Sequence, residues 1–236
     1  MKKRFVKMIG LTLATGLLYS FFLICPNLLF ANKYQYRNFT VFSDNEIPKS
    51  IDLVIDDAIL RLEGSELYGN AAEFRLYICN DEWRFKFFTR NKNAGGVVNF
   101  LFSPNIFIRE SNITSNQLIP PNTWKNPLTK RPLSYFIAHE AVHSLQREYD
   151  RFLIFRAPVE IIEGYADYIA KSESNGVKSL TEKLKNNAST MNPENGLYDK
   201  YHFYVGYLIE NKGYNFERIV QEQPELEEIM NEIIEN

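Results

Sequence analysis

The sequence predicts an α+β fold, a small twisted mixed β-sheet followed by a mainly helical half. Three observations carry this. Short runs rich in Phe, Tyr, Val and Ile, the composition of strands, fall between residues 33 and 109. From residue 132 onward the apolar residues recur at helical spacing instead. One amphipathic stripe near residues 51–62 interrupts the strands and places a helix on one face of the sheet.

The 236 residues are 45% hydrophobic, with 18 Phe and 14 Tyr, which is enough apolar surface for a packed core. A formal net charge of -2, with no long basic block beyond the N-terminus, argues against nucleic acid as a partner. Cys25 and Cys79 are the two cysteines, and Cys25 lies in an apolar stretch, so no structural disulfide is expected. Lys2, Lys3, Arg4 and Lys7 precede an uncharged run from Met8 to Asn32. Residues 1–32 therefore read as a signal peptide or a membrane anchor. The positive-inside bias leaves residues 33–236, read as a single domain, outside the cytoplasm, either membrane-anchored or secreted/periplasmic.

Taken in order, residues 33–43 read as an opening strand, with Tyr34, Tyr36, Phe39, Val41 and Phe42 in loose alternation. Asp44 or Ser50 then caps a helix whose stripe is Ile51, Val54, Ile55, Ala58, Ile59 and Leu62, and Gly64 ends it. Phe74–Cys79 is a strand, Asn80-Asp81 a turn, and Trp83–Phe88 a further strand. After an Asn/Gly loop, Val97–Phe102 and Asn105–Arg109 read as strands parted by a turn at Ser103-Pro104. Residues 111–132, polar and holding four prolines, form a long surface connection. A helix follows from about Pro132, and another runs from Pro158 to Ala170. Val177–Leu184 reads as a short amphipathic segment, Ala188–Asn195 as a loop, and residues 226–234 as a terminal packing helix.

The first of the two helices beyond residue 132 contains His139-Glu140-Ala141-Val142-His143. Residues four apart share a helix face, so two imidazoles at this spacing hold one Zn²⁺ with Glu140 beside them as a base. The pattern has three fixed positions, and a core histidine pair is an equal reading of it alone. The second helix decides between them. Glu163 and Asp167 share a face among Ile161, Ile162, Tyr165 and Ile169, where acids are costly unless paired or liganded. Gly164 is a poor interior helix residue, explained where another backbone or a metal shell comes close.

His139-Glu140-x-x-His143, Glu163 twenty residues on, and Gly164-x-Ala166-Asp167 resemble the gluzincin zinc metallopeptidases, the thermolysin-like and aminopeptidase-like group. The match covers roughly residues 132–170. The resemblance implies a compact zincin-like domain with one Zn²⁺ held by His139, His143 and Glu163. Glu140 would activate water at the metal, and Asp167 would orient a ligand histidine. A tyrosine or histidine from a later helix faces the substrate carbonyl in that family, which makes Tyr201, His202 and Tyr204 the candidates. An extended peptide pairs with an edge strand there, which points to Val97, Val98, Asn99 and Phe100, or to the 105–109 run. Glu160 stands where some aminopeptidase-like members carry tryptophan, which weakens assignment to that branch. The implied activity is hydrolysis of extracytoplasmic peptides or envelope proteins. The alternatives are an inactive zinc-binding module of the same fold and a membrane-tethered structural protein without metal.

Overall fold

Alternation along three strands decides the layering. In β2 (Phe39–Ser43), β3 (Phe74–Ile78) and β5 (Ile106–Ile108), successive side chains enter opposite faces. Val41, Leu76, Ile78, Ile106 and Ile108 join the main core with the helices. Phe42, Tyr77 and Phe107 join a second, aromatic cluster on the other face. The computed structural model describes residues 2–69, 71–122, 131–171 and 199–235. The segments 177–184 and 188–195, and part of the 111–132 connection, lie outside them.

The five-stranded mixed sheet has the order β1-β2-β3-β5-β4, with β1 (Asn32–Tyr36) and β4 (Gly96–Val98) at its edges. β2, β3 and β5 run parallel, and each edge strand pairs antiparallel to its neighbour. α2 (Ile51–Leu62) makes the crossover from β2 to β3, burying the stripe Ile51, Val54, Ile55, Ala58, Ile59 and Leu62 as expected. α4 (Leu133–Tyr149) and α6 (Val159–Lys171) complete that face, with the four-residue α5 (Leu153–Arg156) between them. α7 (Asp199–Glu210), α8 (Phe216–Glu222) and α9 (Leu226–Glu235) close the helical half. α1 (Lys2–Ile24) and a 3₁₀ turn (Pro26–Leu29) precede the sheet. A two-residue ladder, β6 (Ser111–Asn112) with β7 (Gln117–Leu118), orders the start of the long connection.

Four expectations need correction. Residues 33–43 are a hairpin, not one strand: β1 and β2 turn at Arg37, whose φ is +48°. The alternation itself changes phase there, from Tyr34 and Tyr36 to Phe39 and Val41. Trp83–Phe88 is helical, within α3 (Glu82–Thr89). Phe85 and Phe88, three apart, are buried while Trp83 stays exposed, and Glu82 pairs with Lys86 one turn on. The strand at Val97 stops at Val98, because the Asn99 carbonyl accepts from the Phe102 and Ser103 amides and turns the chain. Neither capping candidate caps α2: Ser50 occupies the position without a side-chain bond, and the Asp44 carboxylate accepts from Asn80 instead.

Candidate metal centre

α4 is buried from Leu133 to Arg147, so every polar group on it needs an internal partner. Most have one that holds the helix in place. Ser144 donates to the Pro104 carbonyl at 3.1 Å, and Arg147 Nε to the Phe100 carbonyl at 2.7 Å. Ser134 donates to Asp57, and its amide donates to Asn116 at 2.9 Å. The remaining polar cluster is the motif itself.

His139, Glu140 and His143 are all buried. His143 Nε2 lies 3.2 Å from His139 Nε2, and Glu163 Oε2 lies 3.3 Å from the first-motif ring and 3.5 Å from the second. These donors fit a metal. Ligand atoms about 2.0–2.1 Å from one tetrahedral ion stand about 3.3 Å from each other. Two imidazole lone pairs and a carboxylate converging at that spacing inside the protein require a cation or a shared proton. Burial opposes a charge on His143, but Glu163 overrides it and holds the ring up at about 9. Burial likewise opposes ionisation of Glu163, and the two histidines override it, keeping its carboxyl far below the usual range. The trio is a zincin-like active-site geometry.

The tautomer of His143 follows from a residue that sequence reasoning passed over. Gln146 Nε2 donates to the Ile162 carbonyl of α6 at 3.0 Å, which fixes the amide. Gln146 Oε1 then faces His143 Nδ1 at 2.8 Å and accepts its proton. The Nε2 lone pair is left toward His139 and Glu163. The readable signal was Gln146 three residues beyond His143, on the same helix face.

Glu140 lies on the β4 side of α4. Burial raises its pKa, the two histidines oppose that, and the Val98 amide donates to it. The Arg109 amide bonds the Gly95 carbonyl, so residues 95 and 97 of the edge face β5 and the backbone groups of Gly96 and Val98 face outward. Gly96 is needed for this approach: a Cβ there would sit 2.5 Å from Glu140 Cγ and 2.7 Å from Ile108 Cδ1. Val97 is half-buried, Val98 is buried, Asn99 begins the turn, and the Phe100 ring stands edge-on to His143 at 5.8 Å.

Asp167 is fully buried behind the trio. Tyr135 donates to it, Lys171 Nζ bridges it at 2.6 Å to Asp199 at 2.5 Å, and Arg131 stands 3.5 Å away. Burial works against its charge, yet Lys171, Arg131, His202 and His139 hold its carboxyl far below the usual range. Asp167 thus acts on His139 as a fixed negative charge.

The three candidates on α7 part company. His202 is buried with Nδ1 3.9 Å from Asp167, pushed down to about 4 by burial and Lys171, and so is neutral near pH 7. Tyr204 is buried and donates to the Pro224 carbonyl. Tyr201 is half-buried, and its hydroxyl is raised by burial and by the carboxylates of Glu160 and Glu163. It comes close because Gly164 lets the helices touch: a Cβ there would meet the Tyr201 carbonyl at 2.5 Å. The close backbone expected at Gly164 is this one.

No protein-family model, curated protein or solved structure matches the chain. The functional reading therefore rests on the site.

Proposed function

We propose that the protein is a zinc-dependent peptidase of gluzincin type, acting on extracytoplasmic peptides or envelope proteins. The observation that carries this is the trio of donor atoms 3.2–3.5 Å apart, with the buried Glu140 beside it and the edge strand β4 next to that. His139, His143 and Glu163 would hold Zn²⁺, which supplies Lewis acidity toward water and a scissile carbonyl. Glu140 takes the proton from the attacking water and delivers it to the departing amine. Its burial, which raises its affinity for a proton, suits that exchange. Gly96 offers a backbone donor and acceptor, and Val98 its carbonyl, to an extended substrate, and the Phe100 ring walls the site next to His143. Tyr201 donates toward the carbonyl oxygen as negative charge grows there. Gln146 holds the His143 ring in position, and Asp167 adds a fixed negative charge on the His139 side.

Metal content and turnover test this together. Glu140→Gln keeps the shape and the zinc stoichiometry, and loses peptide cleavage by at least about 10²-fold. Full zinc with unchanged cleavage would remove Glu140 from the chemistry. No zinc in the native protein would remove the site.

A further inference from the structure

The end of α1 is built into the folded domain. Leu23 is 1% exposed and lies in the aromatic cluster with Phe30, Tyr77, Phe88 and Phe107. Tyr19 donates to the Phe87 carbonyl of α3 at 2.7 Å, and its ring meets Phe87 edge-on. The last-turn carbonyls of a helix have no partner within it. Here the domain supplies them: Ser103 Oγ donates to the Leu23 carbonyl at 3.1 Å, and Asn105 Nδ2 reaches the Leu23 and Ile24 carbonyls at 3.2 and 3.3 Å. A cut at Ala31 would strip Leu23, Pro26 and Phe30 away and open the aromatic cluster to water.

Among the described residues, nothing covers the remainder of α1. Leu11, Leu13 and Leu17 are 71%, 62% and 73% exposed on a helix apolar all round. The span Lys7–Ile24 has 18 residues, about 27 Å long, against a hydrocarbon layer of about 30 Å. All of it is needed to cross. The domain contacts at Leu23 and Ile24 therefore fall at the outer boundary of the bilayer, and the Tyr19–Phe87 contact lies about one and a half turns, roughly 7 Å, inside it, with no linker between. Exposed apolar residues surround that point: Leu28 after α1, Trp83 on α3, and Leu101 and Phe102 on the turn before Ser103.

We propose that α1 is retained and holds the domain flush on the outer face of a lipid bilayer, with Trp83 and the Leu101-Phe102 turn in the interface. The candidate site lies close by. His143 adjoins Ser144, which bonds Pro104; the next residue, Asn105, caps α1. Phe100, against His143, belongs to the same turn as Leu101 and Phe102. The substrate class is then polypeptide close to the membrane surface, a consequence that rests on the peptidase reading above.

The test uses the full chain in phosphatidylcholine vesicles. Trp124→Phe leaves Trp83 as the one tryptophan. With lipids brominated near the head group, Trp83 emission is expected to fall by at least half relative to unbrominated vesicles. Membrane-extracted protein is expected at the intact 27.6 kDa. Unquenched Trp83, or a chain shortened at Ala31, overturns the proposal. A second arm compares one peptide tethered to lipid by about 4 or about 30 residues. A flush domain cleaves both within about threefold. Cleavage of the long tether alone, by more than tenfold, also overturns it. If neither peptide is cut while Trp83 is quenched, the peptidase reading fails and the membrane geometry stands.

Discussion

Gln146 shows how much of a metal centre resides outside its ligands. It joins α4 to α6 through one amide, accepting from His143 Nδ1 and donating to the Ile162 carbonyl. Gln146→Leu keeps the volume but loses both bonds. The freed ring can adopt the wrong tautomer, and the Ile162 carbonyl keeps only the donor its own helix supplies. Zinc affinity is expected to fall 10–100-fold, read by competition with a chromophoric chelator. Stability of the zinc-free protein should fall by about 0.5–1.5 kcal/mol, read by urea denaturation. Gln146→Glu separates the two effects, because it keeps the acceptor for His143 and loses the donor for Ile162. It should retain most of the zinc affinity while losing the stability. Equal zinc affinity in the Leu variant and the parent would remove Gln146 from the site.

At the scale of elements, the contact of α6 with α7 turns on Gly164. In an exposed helix Gly→Ala adds stability, about 1 kcal/mol. Here the new Cβ would meet the Tyr201 carbonyl at 2.5 Å and Val205 Cγ2 at 2.8 Å, neither of which yields without moving α7. Gly164→Ala is therefore expected to lose about 1–3 kcal/mol in urea denaturation. A gain would mean that the two helices do not touch. This residue was readable in advance because a glycine inside a strong helical stripe lacks a local reason. Other elements were less readable for equally local causes. Trp83–Phe88 is aromatic enough for a strand, and six residues are too few to separate the two periods. The Glu82–Lys86 pair carried the helical signal. At 33–43 the overall alternation hid a change of phase at Arg37.

For the whole molecule, the first half of the chain makes the sheet and its β4 edge, and the second half brings the ligands to it. The ligands were legible because two helices each carry their donors at intervals of one turn. What surrounds them was not, since Gly96 against Glu140 and Lys171 between Asp167 and Asp199 join residues far apart in sequence. That surrounding sets the coupling of metal to protons. Without metal, the trio meets its need for positive charge with a proton on His143, held up at about 9 by Glu163. The folded value lies above the unfolded value of about 6.5. The pair's stabilisation is thus fully present below about pH 6.5 and is lost as pH rises through about 9. The melting temperature of the zinc-free protein should fall across that window. Glu163 titrates in the opposite sense: its stabilisation is present above about pH 4.3 and is lost in acid. Zinc needs a neutral imidazole and an ionised carboxylate. At pH 7.5 its binding should therefore release about one proton, from His143, and none from Glu163. Calorimetry in two buffers of different ionisation enthalpy counts that proton. The zinc-loaded protein, whose ligands no longer titrate, should hold its melting temperature from pH 6.5 to 9 while the chelated protein does not. A release near zero at pH 7.5, with parallel melting curves, would mean that the proton and the metal do not compete for one site.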